Sequence, residues 1–289
     1  MSINQEETSK KLLVIGAGNM GRALLTPLLS SDQKVLAKEI VVVDPNFAEP
    51  HSVSSACISN KDNREITIQT HTDLSQCTGS FDTIILTIKP QLATSVIPLL
   101  SRYTHEGTTL ISAMAGITCA RISELLATSG VNIIRAMPNI AMQYDNGITT
   151  LYIPTGSSSQ AADTARSIFT SGGSILEVTQ EHLVDAATAI SGSGPGFFFH
   201  LLEGVYHEVL ALGFNAEQAK QLIHETLKGT ALLYEHAEVS LAELEAQVTS
   251  PQGTTAAGVE VLKRGEAQSV IRSCLRRAME RSIELGEEL

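Results

Sequence analysis

Residues 11–25 read Lys-Leu-Leu-Val-Ile-Gly-Ala-Gly-Asn-Met-Gly-Arg-Ala-Leu-Leu, an apolar run, a Gly-x-Gly-x-x-Gly turn and the start of an apolar-periodic helix. Few local patterns restrict a fold as much. Gly16 permits a tight turn out of the strand, and Gly18 lets an anion approach the backbone. Gly21 lets the helix pack close to the strand it follows. With Ala17, Asn19 and Met20 between them, these glycines present unpaired N–H groups at a helix N-terminus, which suits the pyrophosphate of a dinucleotide. The next apolar run ends at Asp44, 23 residues beyond Gly21. An acid at that spacing accepts hydrogen bonds from an adenosine ribose, which favours NADH. Asn46 offers a contact to a phosphate instead, leaving NADPH open. The plainer reading is that Asp44 begins a turn before Pro45.

The pattern around this loop predicts the rest of the first domain. Apolar runs at Leu12–Ile15, Ile40–Val43, Ile66–Gln69, Thr83–Ile88, Thr108–Ser112, Ile133–Met137 and Ile148–Tyr152 are rich in Val, Ile and Thr. They read as strands buried on both faces. Helical patterns at Arg22–Ser30, Leu92–Leu100 and Ala120–Thr128 separate them, and a helix at Ser159–Thr170 and a strand at Ser174–Val178 close the series. Strand and helix in alternation imply a doubly wound α/β parallel sheet over residues 1–178. Beyond it, over residues 179–289, only helical spacing recurs. Phe198, Leu201, Leu202, Val205, Val209 and Leu212 define one helix, stopped at Gly213–Asn215, and Ala219 to Leu233 a second. Two more are predicted at Thr254–Leu262 and Ala267–Leu285. Helices this apolar bury poorly alone, so the second domain is expected to be all-helical and to dimerise.

Composition narrows the partners. A net charge of −11 repels phosphate backbones, and aromatics at 4% with no Trp leave few stacking platforms, so nucleic acid is not expected. The N-terminus is polar and no stretch of about 18 apolar residues occurs, so neither a signal peptide nor a membrane span is expected. Cys57, Cys77, Cys119 and Cys274 are scattered without a Cys-x-x-Cys pair, which fits reduced thiols in the cytoplasm. His200, Glu203 and His207, with Glu208 beside them, share a helix at spacings that suit either a metal or a solvated face. The solvated face is the reading adopted, and no metal is assigned.

Three segments gather at the carboxyl ends of predicted strands, where a doubly wound sheet forms its ligand crevice. They are Thr87-Ile88-Lys89-Pro90, the run Ala113-Met114-Ala115 after Ser112, and Arg135 to Asn139. The second half adds two Gly/Ser-rich loops that open onto helices, Ser191-Gly192-Ser193-Gly194-Pro195 and Ser250-Pro251-Gln252-Gly253-Thr254-Thr255.

With these motifs together, the sequence resembles pyrroline-5-carboxylate reductases, from Leu12 to about Leu285. The resemblance implies a Rossmann-type domain followed by a helical dimerisation domain. It implies a homodimer, in some members a larger ring, that reduces a cyclic imine to proline with NADPH or NADH. It places the cofactor over Gly16–Gly21 and against Thr87–Pro90 and Ala113–Ala115. It gives the substrate carboxylate to the loop amides of Ser250, Gly253, Thr254 and Thr255, near Ser191–Pro195, with a contribution from the partner subunit. Thr255 is then a catalytic hydroxyl at the ring nitrogen and Glu238 a carboxylate near it. The sequence departs from the family where Ala141 replaces Pro, Gly196 replaces Ala and Gln252 replaces Gly. Position 252 lies inside the substrate loop, and its backbone is expected to need positive φ.

Reduction of a protonated imine asks for geometry more than for a dedicated base, which suits motifs rich in Ser, Thr and Gly. Glu238 would favour the cationic ring, or be a solvated side chain of the polar segment His236–Glu245. Two other functions remain open. A hydroxyacid dehydrogenase of like architecture would place a Lys on the helix after the sheet domain, and Glu181–Leu212 contains none. A regulatory paralogue that binds cofactor without turnover is the non-enzymatic alternative, motivated by Ala141 and Gln252.

Overall fold

The computed structural model describes residues 10–30, 37–46, 57–59 and 65–288. The polar N-terminus and the side chain of Cys57 lie outside the described residues. Contacts divide the chain into two units, one running to Gly192 and resuming at Ala278, the other Ser193–Arg277.

The first unit alternates strands and helices, β1 (Lys11–Ile15), α1 (Asn19–Ser30), β2 (Glu39–Val43), β3 (Cys57–Ser59), β4 (Glu65–His71), β5 (Thr83–Leu86), α2 (Ala93–Val96), β6 (Thr109–Ser112), α3 (Cys119–Leu126), β7 (Asn132–Met137), β8 (Gly147–Tyr152), α4 (Ser159–Thr170), β9 (Gly173–Val178) and α5 (His182–Ala187). The strands form one sheet in the order β3-β4-β2-β1-β5-β6-β7-β8-β9. β1 pairs in parallel with β2 on one side and with β5 on the other, so the winding reverses at β1. Its residues alternate between two cores. Leu12 and Val14 join Leu24 and Leu25 of α1 and Ile168 and Phe169 of α4. Leu13 and Ile15 join Ala93, Ile97, Ile122 and Leu126 on the opposite face. A strand apolar at four consecutive positions, Leu12–Ile15, is what helices on both faces require.

Three features differ from the sequence-based expectation, each for a local reason. The edge strand β3 is antiparallel to β4 and only three residues long, too short to show a period. β7 and β8 are antiparallel, because residues 138–146 between them are fewer than a parallel crossover needs. The expected helix Leu92–Leu100 is broken into a 3₁₀ turn at Pro90–Leu92, the single turn α2, and a second 3₁₀ stretch at Ile97–Arg102. Pro98 has no N–H to donate and its ring crowds the carbonyl four residues earlier.

The second unit is helical, with α6 (Gly194–Ala211), α7 (Ala216–Glu235), α8 (Leu241–Gln247), α9 (Thr254–Arg264) and the first half of α10 (Ala267–Glu287). Gly213 at φ +101° ends α6, and Asn215 caps α7 by accepting from the Gln218 amide. α8 lies in the segment read from sequence as merely polar. The sheet unit extends past residue 178 because α5 packs against β7 and β8. Among the described residues no helix is long and apolar enough to cross a membrane.

Candidate active site

The glycine loop sits where the sheet's winding reverses, at the carboxyl ends of β1 and β5. Gly16 at φ +101° donates its N–H to the Val43 carbonyl at 2.9 Å. Thr87, after β5, donates its hydroxyl to the Gly16 carbonyl at 2.7 Å. A Cβ on Gly16 would lie 2.9 Å from the Thr87 carbonyl, and one on Gly21 would overlap the Gly16 oxygen. The protein's own packing therefore demands both glycines. Gly18 differs, because a Cβ there would meet no atom within 4 Å. Nothing in the chain needs Gly18 bare, and the open space lies at the N-terminus of α1, where unpaired amides favour a phosphate. These residues fit a dinucleotide.

The loop is braced at one residue, Ala17. Asp44 accepts from the Ala17 N–H at 2.6 Å and from the Asn46 N–H at 2.8 Å, while Arg22 Nε donates to the Ala17 carbonyl at 2.9 Å. Asp44 is thus both a turn-former and a fastening for the loop. Around the crevice, Lys89 is exposed and precedes Pro90, and Thr87 and Ile88 are half-buried. Ala113 continues the ladder by donating to the Leu86 carbonyl at 2.8 Å. Ala113 and Ala115 are half-buried, but the Met114 side chain is core at 1% exposed, so only its main chain is left to face a ligand.

The Ser/Gly motif is split between the units. Thr188–Gly192 forms a π-helical turn after α5, in which Ser191 donates its hydroxyl to the Ala187 carbonyl at 3.0 Å. Ser193, Gly194 and Pro195 open α6. In the second unit Ser250 accepts from the Gly253 N–H at 3.0 Å, closing a turn, and Thr254 and Thr255 begin α9. Gln252 within that turn has φ +58°, the left-handed conformation. The N-cap of α9 is Gly253, with no side-chain cap, so the exposed Thr255 is not the capping group. α6 likewise lacks a side-chain cap, whereas Thr118, Ser158, Asn215 and Ser240 cap α3, α4, α7 and α8. At α9 the first-turn amides of Thr254 and Thr255 are left free for an anion, whereas at α6 Pro195 has no N–H and the Gly196 amide donates to the Ser193 carbonyl at 2.9 Å. Glu238 lines an open hollow with Leu232, His236, Val239 and Leu244. Among the described residues no group of His, Cys, Asp and Glu is arranged to hold a metal.

One buried cluster was not foreseen. Arg135 on β7 is 1% exposed and donates through Nη2 to Asp185 Oδ1 at 2.9 Å and through Nη1 to Glu181 at 3.5 Å. Ser282 donates to Asp185 Oδ1 at 3.0 Å, and the Cys119 amide donates to Glu181 at 2.6 Å. Burial and the nearby Glu181 carboxylate hold the Cys119 thiol well above its usual range. Burial pushes the Cys77 thiol up to about 11. A charged residue inside an apolar strand signalled that a partner must exist, but sequence alone does not identify it.

Comparison with known proteins places this architecture. Residues 181–285 match the family model described as pyrroline-5-carboxylate reductase dimerisation. Residues 11–116 match one described as NADP oxidoreductase, coenzyme F420-dependent. The chain is 29% identical over 282 residues to a pyrroline-5-carboxylate reductase of Pseudomonas aeruginosa, covering 98% of this chain and 99% of the relative. It is 28% identical over 277 residues to one of Vibrio alginolyticus, covering 96% and 97%. Among solved structures, a pyrroline-5-carboxylate reductase of Coxiella burnetii is similar at TM-score 0.76 and 26% identity, covering 96% of this chain and 99% of that one. The Plasmodium falciparum pyrroline carboxylate reductase with NADP bound shares the fold at TM-score 0.83 and 24% identity, covering 97% and 99%.

Proposed function

The chain belongs to the pyrroline-5-carboxylate reductase family, and from that premise we propose that it reduces pyrroline-5-carboxylate to proline with NADPH or NADH. The observation that carries the cofactor half is the unfilled space at Gly18, between two glycines that packing demands. Gly16, Ala17, Gly18, Asn19, Met20 and Gly21 would hold the pyrophosphate, and Asp44 and Asn46 the adenosine end. Thr87–Pro90 and Ala113–Ala115 would line the nicotinamide side. Bound there, the reduced nicotinamide supplies the hydride.

The chain's own groups then orient the imine. Its carboxylate is assigned to the free amides at Thr254 and Thr255, beside Ser250 and Gly253, and Ser191–Pro195 are assigned to the same substrate. Thr255 is assigned to the ring nitrogen, and Glu238 to stabilising the positive charge there. The imine carbon gains the hydride, the carbon–nitrogen π pair becomes the nitrogen lone pair, and the proton already on nitrogen stays. The helical unit pairs with a second copy, whose partner surface is its exposed apolar residues, and pairs can build a larger ring. Free thiols at Cys77, Cys119 and Cys274 support a reducing, cytoplasmic setting.

A steady-state assay of the purified protein with pyrroline-5-carboxylate and each nicotinamide tests this. Saturable oxidation of NADPH or NADH with stoichiometric proline is the expected result. Cofactor binding without turnover would leave a regulatory cofactor-binding protein.

A further inference from the structure

The unforeseen cluster joins the two sides of the proposed site within one unit. β7 presents Arg135 and Met137 on the same face, two residues apart. Arg135 grips Asp185 in α5, and Met137 Sδ lies 3.6 Å from where a Cβ on Gly192 would stand. One strand face therefore sets both ends of the segment from α5 to the π-turn at Thr188–Gly192. Glu181, at the head of α5, accepts from Cys119 at the start of α3, just after the loop carrying Ala113–Ala115. The last turns of α10 touch both sides as well. Ser282 donates to Asp185, and a Cβ on Gly116 would overlap the Ser282 carbonyl oxygen.

We propose that Asp185, held by Arg135, is a positioning residue for the imine. It fixes the π-turn bearing Ser191 and Gly192 at a set distance from the nicotinamide-side loop at Ala113–Gly116. This inference rests on the functional reading above. A π-turn is a fit object for such control, because its wide hydrogen bonds relax toward an α-helix unless the surroundings impose them. Asp185 is buried at 7% exposed, and Arg135 Nε has no hydrogen-bond partner, so the guanidinium is aimed by its Nη contacts alone, two to Asp185 and one to Glu181. The pair makes no expected contact with substrate. Its effect is on geometry, where a misplacement of about 1 Å lowers a rate by about a hundredfold.

The test compares wild type with Asp185→Asn and Asp185→Ala, and with Phe169→Leu as an equally buried control on α4. Asp185→Asn keeps the shape and leaves Glu181 to face the guanidinium, so it is the variant chosen to fold. Both Asp185 variants are expected to lower kcat/KM for the imine about ten- to a hundredfold, Asn less than Ala, with the NADPH dissociation constant within about twofold. Amide hydrogen exchange is expected to quicken at residues 188–192 and to stay unchanged at residues 16–21. Phe169→Leu is expected to lower the melting temperature without either effect. An active wild type with unaltered kinetics and exchange in the Asp185 variants would overturn the inference alone. A wild type without turnover would overturn the functional reading and this inference with it. Losses that track the melting temperature, Phe169→Leu included, would reduce Asp185 to a packing residue.

Discussion

At the scale of single residues, the glycine loop separates what the fold needs from what a ligand needs. Gly21→Ala would drive a methyl into the Gly16 carbonyl, so it is expected to destabilise the first unit by about 1–3 kcal/mol, as overpacked sites do. Gly18→Leu has open space before it and is expected to leave the melting temperature nearly unchanged while abolishing NADPH and NADH binding. Fluorescence titration beside thermal unfolding reads both, and retained binding in Gly18→Leu would remove the loop from the site. The packing roles of Gly16 and Gly21 were legible because a Gly-x-Gly-x-x-Gly turn has one dominant geometry. Gln252 was legible too, since the family pattern asked for Gly and the backbone there has φ +58°. A left-handed conformation costs a side-chain-bearing residue about 1–2 kcal/mol. Gln252→Gly would recover that, less about 0.5–1 kcal/mol of extra chain entropy in the unfolded state. A small rise in melting temperature with a lower KM is the expected outcome, and a lower melting temperature would show the loop is unstrained. The Arg135 cluster was not legible: by sequence Arg135 falls at the ligand edge, whereas it is 1% exposed and paired with Asp185. A buried arginine must be paired, but Glu181, Asp185 and Ser282 are brought to it by the fold and not by spacing.

Secondary elements were read well where a period had room to repeat and poorly where it did not. β1, β2 and α4 emerged with nearly their observed bounds, because each spans its full pattern between clear stops. α8 was missed although Ser240 and Glu243 form a capping box, with the Ser240 N–H donating to Glu243 at 2.9 Å. Seven residues hold barely two turns, so the cap was the better signal than the periodicity. The Pro98 break shows the reverse error, an apolar pattern trusted across a proline. The helix ends matter most for chemistry. Because Gly253 and not Thr255 caps α9, Thr255→Ala should cost little stability. It and Glu238→Ala are instead expected to lower kcat/KM for the imine about ten- to a hundredfold, roughly 1.4–2.8 kcal/mol of lost transition-state binding. Nicotinamide affinity should hardly change in either variant. Wild-type kinetics in both would remove these side chains from the reaction.

For the whole molecule, the sequence indicated two domains and dimerisation but not where the chain divides, since α5 and the end of α10 join the sheet unit through buried pairs. The helical unit by itself leaves much apolar surface bare. Phe198, Phe199, Leu212, Leu233, Leu241 and Val261 are each about 60% exposed or more. So many large apolar side chains left exposed in one unit are unusual for a free monomer and ordinary for one half of an obligate dimer. Burying a Phe or Leu contributes about 1.5–3 kcal/mol, so a handful of such side chains from each copy suffices for a stable pair. Sedimentation equilibrium at micromolar concentration is therefore expected to give a dimer or a multiple of it. Phe199→Asp combined with Leu233→Asp places two charges in that surface and is expected to yield monomers. The Gly16–Gly21 loop belongs wholly to the first unit, so these monomers should still bind NADPH, whereas turnover should fall if the partner completes the imine pocket. A wild type that sediments as a stable monomer would refute the pairing. Full activity in the monomeric variant would confine the imine pocket to a single chain.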